Sequence, residues 1–244
     1  MLSGHACQRC GDTLDSASRE FCRACSLAPP PFERAVSSHL YRGRMRDAIH
    51  ALKYGRISPA AKNLGRMLAA AIAQLHGEAP DNLLVVPVPL HRRRHSQRGF
   101  NQTRLLARFA LASLKRTHPG WKLTLAPRTL IRTRNTESQA NLTNRQRRIN
   151  VRAAFRVTAP EAISGKHILL VDDILTTGAT ARAAASALKR AGAETVWVAT
   201  LARARRDADL LPESTPNPTG HIAGQSTGPI TASRMSHFTS PSST

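Results

Sequence analysis

The stretch Ile168-Leu169-Leu170-Val171-Asp172-Asp173-Ile174-Leu175-Thr176-Thr177-Gly178-Ala179-Thr180 constrains this chain more than any other. The apolar run His167–Val171 reads as a strand buried on both faces. It delivers two adjacent carboxylates to its carboxyl end, where open α/β sheets bind their ligands. A short loop of Thr, Thr, Gly and Thr follows and opens a helix over Ala179–Ala191. Ala184, Ala187, Leu188 and Ala191 form that helix's buried face, and Gly192 stops it. Hydroxyls and backbone N–H groups at such a helix start can cradle a phosphate, helped by the positive end of the helix dipole. Gly178 lets the backbone approach a ligand closely. No Lys follows this glycine, so the loop is not of the Walker A kind.

The flanking chain repeats the alternation of strand and helix. Leu83–Val86 is a buried strand ended by Pro87-Val88-Pro89, and a helix after Gly99 carries Leu106, Phe109 and Ala110 on one face. Leu123–Leu125 and Ala154–Val157 are weaker strand signals, and Thr195–Leu201 reads as the last strand. This order implies right-handed crossovers and an α/β fold built on a doubly wound, mostly parallel sheet. Before it, residues 40–78 read as helical. Leu64, Met67, Leu68, Ala71, Ile72 and Leu75 make one apolar stripe, and Met45, Ile49 and Leu52 suggest a shorter helix broken near Gly55 and Pro59. The longest mostly apolar run, Met67–Leu75, is too short to cross a bilayer, and no signal peptide is visible. A soluble, cytoplasmic protein with reduced thiols is expected.

All four cysteines fall near the start, as Cys7-x2-Cys10 and Cys22-x2-Cys25 with eleven residues between the pairs. Two such knuckles present four thiolates to one point, the closed ligand set of a structural zinc site. A redox dithiol pair or unconnected thiols are the competing readings. So small a unit has almost no core, so the metal would supply its folding energy. The head could contact DNA or another protein, or merely dock on the sheet.

Charge narrows the ligand class. The chain carries a formal +21, and between Asn82 and Pro160 stand seventeen Lys/Arg and one acid, Glu137. That stretch faces anions, either phosphates of a small ligand or a nucleic-acid backbone, unless it is simply a solvated Arg-rich surface. Aromatic residues make up 4% of the chain, which leaves little material for a base-stacking platform. After residue 206 the chain turns Ser-, Thr-, Pro- and Gly-rich, with Arg234 set against Asp207, Asp209 and Glu213. Such composition predicts a disordered tail over 207–244.

The Asp-Asp-Ile-Leu-Thr-Thr-Gly-Ala-Thr segment resembles the phosphoribosyl pyrophosphate motif of type I phosphoribosyltransferases. That resemblance implies a ribose clamp at Asp172 and Asp173 and a 5′-phosphate cradle at Thr176, Thr177, Gly178, Ala179 and Thr180. Several members place an acid–base Asp where Thr176 stands, so the catalytic base here is unassigned. More widely, the chain is similar to the ComF family, which joins a four-cysteine head to such a domain. Shared features run from Cys7 to about Ala204. They include Tyr41-x-Gly43, Ile49, Lys53-Tyr54, Val86-Pro87-Val88-Pro89-Leu90, Arg98-Gly99-Phe100-Asn101-Gln102, Thr136, Gln139, Leu142, Arg145 and Asn150.

The resemblance implies a zinc ribbon over 1–30, a phosphoribosyltransferase-fold domain over 40–206 with a helical lead-in over 40–78, and Mg²⁺ bound with phosphoribosyl pyrophosphate. It also implies a link to DNA uptake, with a DNA helicase-like ATPase as partner. Arg98, and one or two arginines of the 132–148 loop such as Arg132 and Arg145, are expected to contact pyrophosphate, the second loop acting as a lid. Two functions remain in competition. One is transfer of a phosphoribosyl group to an unknown acceptor. The other is a non-catalytic module that grips nucleotides or single-stranded DNA and recruits a helicase.

Overall fold

A computed structural model describes residues 5–54, 58–91, 96, 98–133 and 154–204. The expected site residue Arg145, the rest of the expected lid over 134–148, Arg92 to Arg94 and the tail 207–244 lie outside the described residues.

The sequence pattern produces a five-stranded sheet in the order β1-β7-β6-β2-β3, with every neighbouring pair parallel. The strands are β1 (Ala35–Leu40), β2 (Asn82–Pro87), β3 (Lys122–Leu125), β6 (His167–Leu175) and β7 (Thr195–Arg203). A small antiparallel pair, β4 (Leu130–Arg132) with β5 (Phe155–Val157), stands apart from the main sheet. The helices are α1 (Arg23–Leu27), α2 (Gly43–Tyr54), α3 (Ser58–Ala73), α4 (Gln102–Thr117) and α5 (Ala179–Arg190). Among the described residues, no helix is long and apolar enough to cross a membrane.

Strand periodicity divides the core into two layers. Leu169 and Val171 of β6, with Trp197, Ala199 and Leu201 of β7, pack beneath α2, α3 and α4. Ile168 and Leu170, with Val196 and Val198, face the other way against Leu188 and the alanines of α5 and against Leu130 and Phe155 of the small pair. Because both faces are covered, the central strands are apolar throughout, and α5 needs little more than alanine to lie close to the sheet.

The predicted stripe on α3 is buried as expected except at Met67, which is exposed. It packs on α4 through Gly65, where an added Cβ would lie 2.3 Å from the Cβ of Phe109. Two strands escape the sequence reading. β1 is a Ser- and His-containing edge strand, and β4 is three residues long, so neither shows a clear apolar period.

Candidate functional site

The carboxyl edge of β6 is the centre of the first site. The strand continues through Leu175, so Asp172 and Asp173 both lie within it and point to opposite faces. Asp173 faces the layer of α2 and α4. Its Oδ2 takes an ion pair from the Lys53 ammonium at 3.0 Å and a hydrogen bond from Nε2 of Gln102 at 3.0 Å. Gln102 is held there by the start of α4. Asn101 caps the helix by accepting from the N–H of Thr103, and both Thr103 Oγ1 and Asn101 Nδ2 donate to the carbonyl of Val88. The Oε1 of Gln102 is buried without a hydrogen-bond partner among the described residues.

Asp172 accepts from the backbone N–H of Asp173 at 2.8 Å. Its carboxyl is pushed up to about 7, first by withdrawal from water and then by the neighbouring Asp173 charge. The Asp173 N–H, Lys53 and Arg132 pull the other way. Arg132 ends β4 rather than lying in a loop, and its guanidinium rests over the ring of Phe155, 5.5 Å from the centroid. Cations from two elements therefore converge on one acid pair.

Thr176 to Gly178 then form the turn into α5. Gly178 adopts the left-handed conformation at φ +77°, and its carbonyl accepts from the N–H of Arg182 to begin the helix. A Cβ there would find its nearest heavy atom 3.9 Å away, so within the protein the glycine answers to backbone conformation rather than to crowding. Thr177 Oγ1 accepts from the N–H of Ala179. Ala179 is buried, while Thr176, Thr177 and Thr180 are partly exposed. The backbone N–H groups of the first turn and the threonine hydroxyls thus gather at one end of α5, the arrangement that suits an anion. Arg98 lies just before Gly99 at the approach to α4.

The second centre is the head. Cys7, Cys10, Cys22 and Cys25 are all buried, and their four sulfurs lie within 4.8 Å of one another. A zinc ion bonded at about 2.3 Å to four sulfurs would set them roughly 3.8 Å apart. The Cys10 and Cys22 sulfurs stand 3.6 Å apart, so the cluster has the size and the donor set for such an ion. Thiols this close cannot all ionise without a cation among them. Hydrogen bonds to the Cys25 and Cys7 sulfurs, then burial, push the Cys10 thiol far up, and Arg203 opposes that rise.

The turns explain the geometry. Gly11 N–H donates to the Cys7 carbonyl with φ +66° at the glycine, and α1 carries Cys25 inward. The head docks on the sheet through Ala35 N–H donating to Arg9 O at 2.7 Å and through a buried ion pair, Arg203 Nη2 to Asp12 Oδ1 at 3.1 Å.

Three residues with evident roles in this geometry received none from the sequence. Lys53 interrupts the buried face of α2 four residues after Ile49, Gln102 directly follows the cap of α4, and Arg203 ends an otherwise apolar strand. Each is a polar residue embedded in an apolar pattern, which is the signal that could have found it.

A parallel sheet with an acid pair and a Thr/Gly loop at its carboxyl edge defines a phosphoribosyltransferase-type domain, and residues 110–216 match the family model described as phosphoribosyl transferase domain. The chain is 37% identical over 203 residues to the DNA utilization protein YhgH of Escherichia coli O157:H7, covering 81% of this chain and 83% of that one. It is 27% identical over 202 residues to competence protein F of Haemophilus influenzae, covering 81% and 84%. It is 26% identical over 198 residues to competence protein ComFC of Bacillus subtilis, covering 78% and 74%. This chain belongs to the ComF family.

Proposed function

We propose that the carboxyl end of β6 binds phosphoribosyl pyrophosphate with Mg²⁺ and that the protein transfers its phosphoribosyl group to an acceptor still to be identified. The observation that carries this reading is the juxtaposition of the Asp172/Asp173 pair with the Thr176–Thr180 turn at the start of α5. In it, Asp172 and Asp173 accept hydrogen bonds from the ribose hydroxyls, and the N–H groups and hydroxyls of the turn hold the 5′-phosphate. Carboxylate oxygens also suit a hard divalent cation, which would neutralise charge on the departing pyrophosphate. Arg132, whose charge favours the ionised Asp172, and Arg98 and Arg145 supply further positive charge for the pyrophosphate oxygens.

Transfer breaks the bond from ribose C1 to the pyrophosphate oxygen, which leaves with the electron pair. A new bond forms from C1 to the acceptor's nucleophilic atom, which gives up a proton. Thr176 cannot take that proton, and Asp172, its carboxyl raised to about 7, titrates in the useful range.

Titration calorimetry with phosphoribosyl pyrophosphate and Mg²⁺ tests the pocket. Saturable binding is expected for wild type and none for Asp172→Asn/Asp173→Asn. A folded, zinc-loaded wild type that fails to bind would refute the reading.

A second reading rests on the outer surface of the α2–α4 layer. Arg44, Arg46, Lys62, Arg66, Arg104 and Arg108 are all exposed there. Such a face suits the backbone of a single-stranded nucleic acid, in keeping with the DNA-related names of the relatives. Recruitment of a helicase-like ATPase would belong with it. Binding that weakens steeply with added salt favours the nucleic acid, whereas a single Mg²⁺-dependent pocket responds much less.

A further inference from the structure

Arg203 links the end of β6 to the head. It is 2% exposed and is the last residue of β7, a strand whose preceding residues are Thr, Val, Trp, Val, Ala, Thr, Leu and Ala. Its backbone lies between Leu40 of β1 and Leu175 of β6 in parallel register. The Arg203 carbonyl accepts from Tyr41 N–H at 2.7 Å, and the next N–H, of Ala204, donates to the Leu175 carbonyl at 3.0 Å. Leu175 is the residue immediately before Thr176.

The side chain leads the other way, into the head. Nη2 lies 3.1 Å from Asp12 Oδ1 and 3.9 Å from the Cys10 sulfur, and the Asp12 carbonyl accepts from the N–H of Cys7 at 2.7 Å. Its Nε is buried with no hydrogen-bond partner among the described residues. A buried cation with an unmade bond is a costly occupant of a strand end, so its placement calls for a strong partner. Four thiolates around a divalent ion carry net negative charge, whereas thiols are weak acceptors. Filling the cluster therefore strengthens the pull on the guanidinium, and emptying it relaxes that pull. A difference of this kind between two states is what coupling requires.

We propose that Arg203 is a positioning residue shared by the two centres, so that metal bound at Cys7, Cys10, Cys22 and Cys25 holds the end of β6 and orders the Thr176–Gly178 turn. Metal in the head and an anion in the turn then favour each other, although neither touches the other. The coupling depends on this chain's own contacts and stands whichever ligand the turn takes.

Hydrogen exchange of the full-length protein tests it, comparing zinc-loaded with chelator-stripped samples. In wild type, stripping should speed exchange of the segment 172–180 about fivefold or more, the low end of ordinary coupling, while Leu106–Leu114 of α4 stays unchanged. Arg203→Met should bring the turn to its stripped rate even with zinc bound. Since that variant takes the arginine away from the buried Asp12, Asp12→Asn/Arg203→Met provides the same comparison with that acid neutralised, and it should be insensitive to zinc. Arg203→Lys, which keeps the cation, should restore zinc dependence. Three results would overturn the proposal: a wild-type turn indifferent to zinc, zinc dependence persisting in the double variant, or equal acceleration in α4, which would mean general loosening. A folded Lys variant without zinc dependence would also count against it.

Discussion

The head and the sheet differ in what they bury. In the head the buried cluster consists of the four cysteines, with Leu14, Phe21 and Ala24 at its margin. In the sheet two apolar layers cover both faces of five strands. A metal at the four sulfurs would hold the head by coordination chemistry, whereas burial holds the sheet, so the two should fail under different insults. The difference also separates precision from bulk. Four sulfurs must meet within a fraction of an ångström, whereas the apolar layers need only the right volume and period.

The largest expected effect comes from removing a head ligand. Cys10→Ser should forfeit most of a metal free energy of about 10–16 kcal/mol, the range for small structural zinc units. Zinc stoichiometry should fall while most helical circular dichroism survives, because the sheet layers do not depend on the ion. Loss of the whole helical signal would break the comparison.

Next is Gly65→Ala, which drives a Cβ into Phe109 at the α3–α4 crossing. A cost of about 1–3 kcal/mol is expected, the usual size for an overpacked core. Denaturant melts should show it, with zinc content unchanged.

Asp172→Asn sharpens the contrast between stability and function. The carboxyl binds its proton more tightly in the folded protein than in the unfolded chain, its value being raised from 3.8 to about 7. Its contribution to stability is thus fully present below about pH 4 and is lost as pH rises through 7. At pH 8 the amide variant should melt higher than wild type yet lose phosphoribosyl pyrophosphate binding. Wild-type binding should strengthen from pH 6 to pH 8 as the carboxylate forms, and affinity that is flat over this range would contradict the assignment.

The smallest effect is assigned to Lys53→Met. Lys53 lowers the Asp172 value, so its removal should move the midpoint of that pH profile upward.

Much of this architecture was legible beforehand. The alternation of β6, α5 and β7 was read from apolar runs punctuated by Gly178 and Gly192, and the paired knuckles from cysteine spacing. Helices α2 and α3 followed from their periodic stripes. The edge strand β1 was not legible, since Ser37 and Ser38 interrupt its apolar run. Its Ser37 is buried and shares a hydrogen bond of 2.7 Å with Thr200 of β7, a contact made across 163 residues of chain. Met67 failed the other way, because a stripe shows which residues share a face but not how far the neighbouring helix reaches.

The site divides along the same line. Asp172, Asp173 and the Thr176–Thr180 turn are contiguous, so the sequence alone makes them neighbours. Lys53, Gln102 and Arg203 acquire meaning only when α2, α4 and β7 converge on the carboxyl edge of the sheet. The sequence by itself determined which groups the protein brings, namely four thiols, an acid pair and an anion-ready turn, because these are set by spacing over a few residues. The tertiary structure alone decided what surrounds them: a cation and an amide on Asp173, and a buried arginine between the cysteines and β6. Those partners come from distant segments, and only the packing of the two apolar layers brings them together.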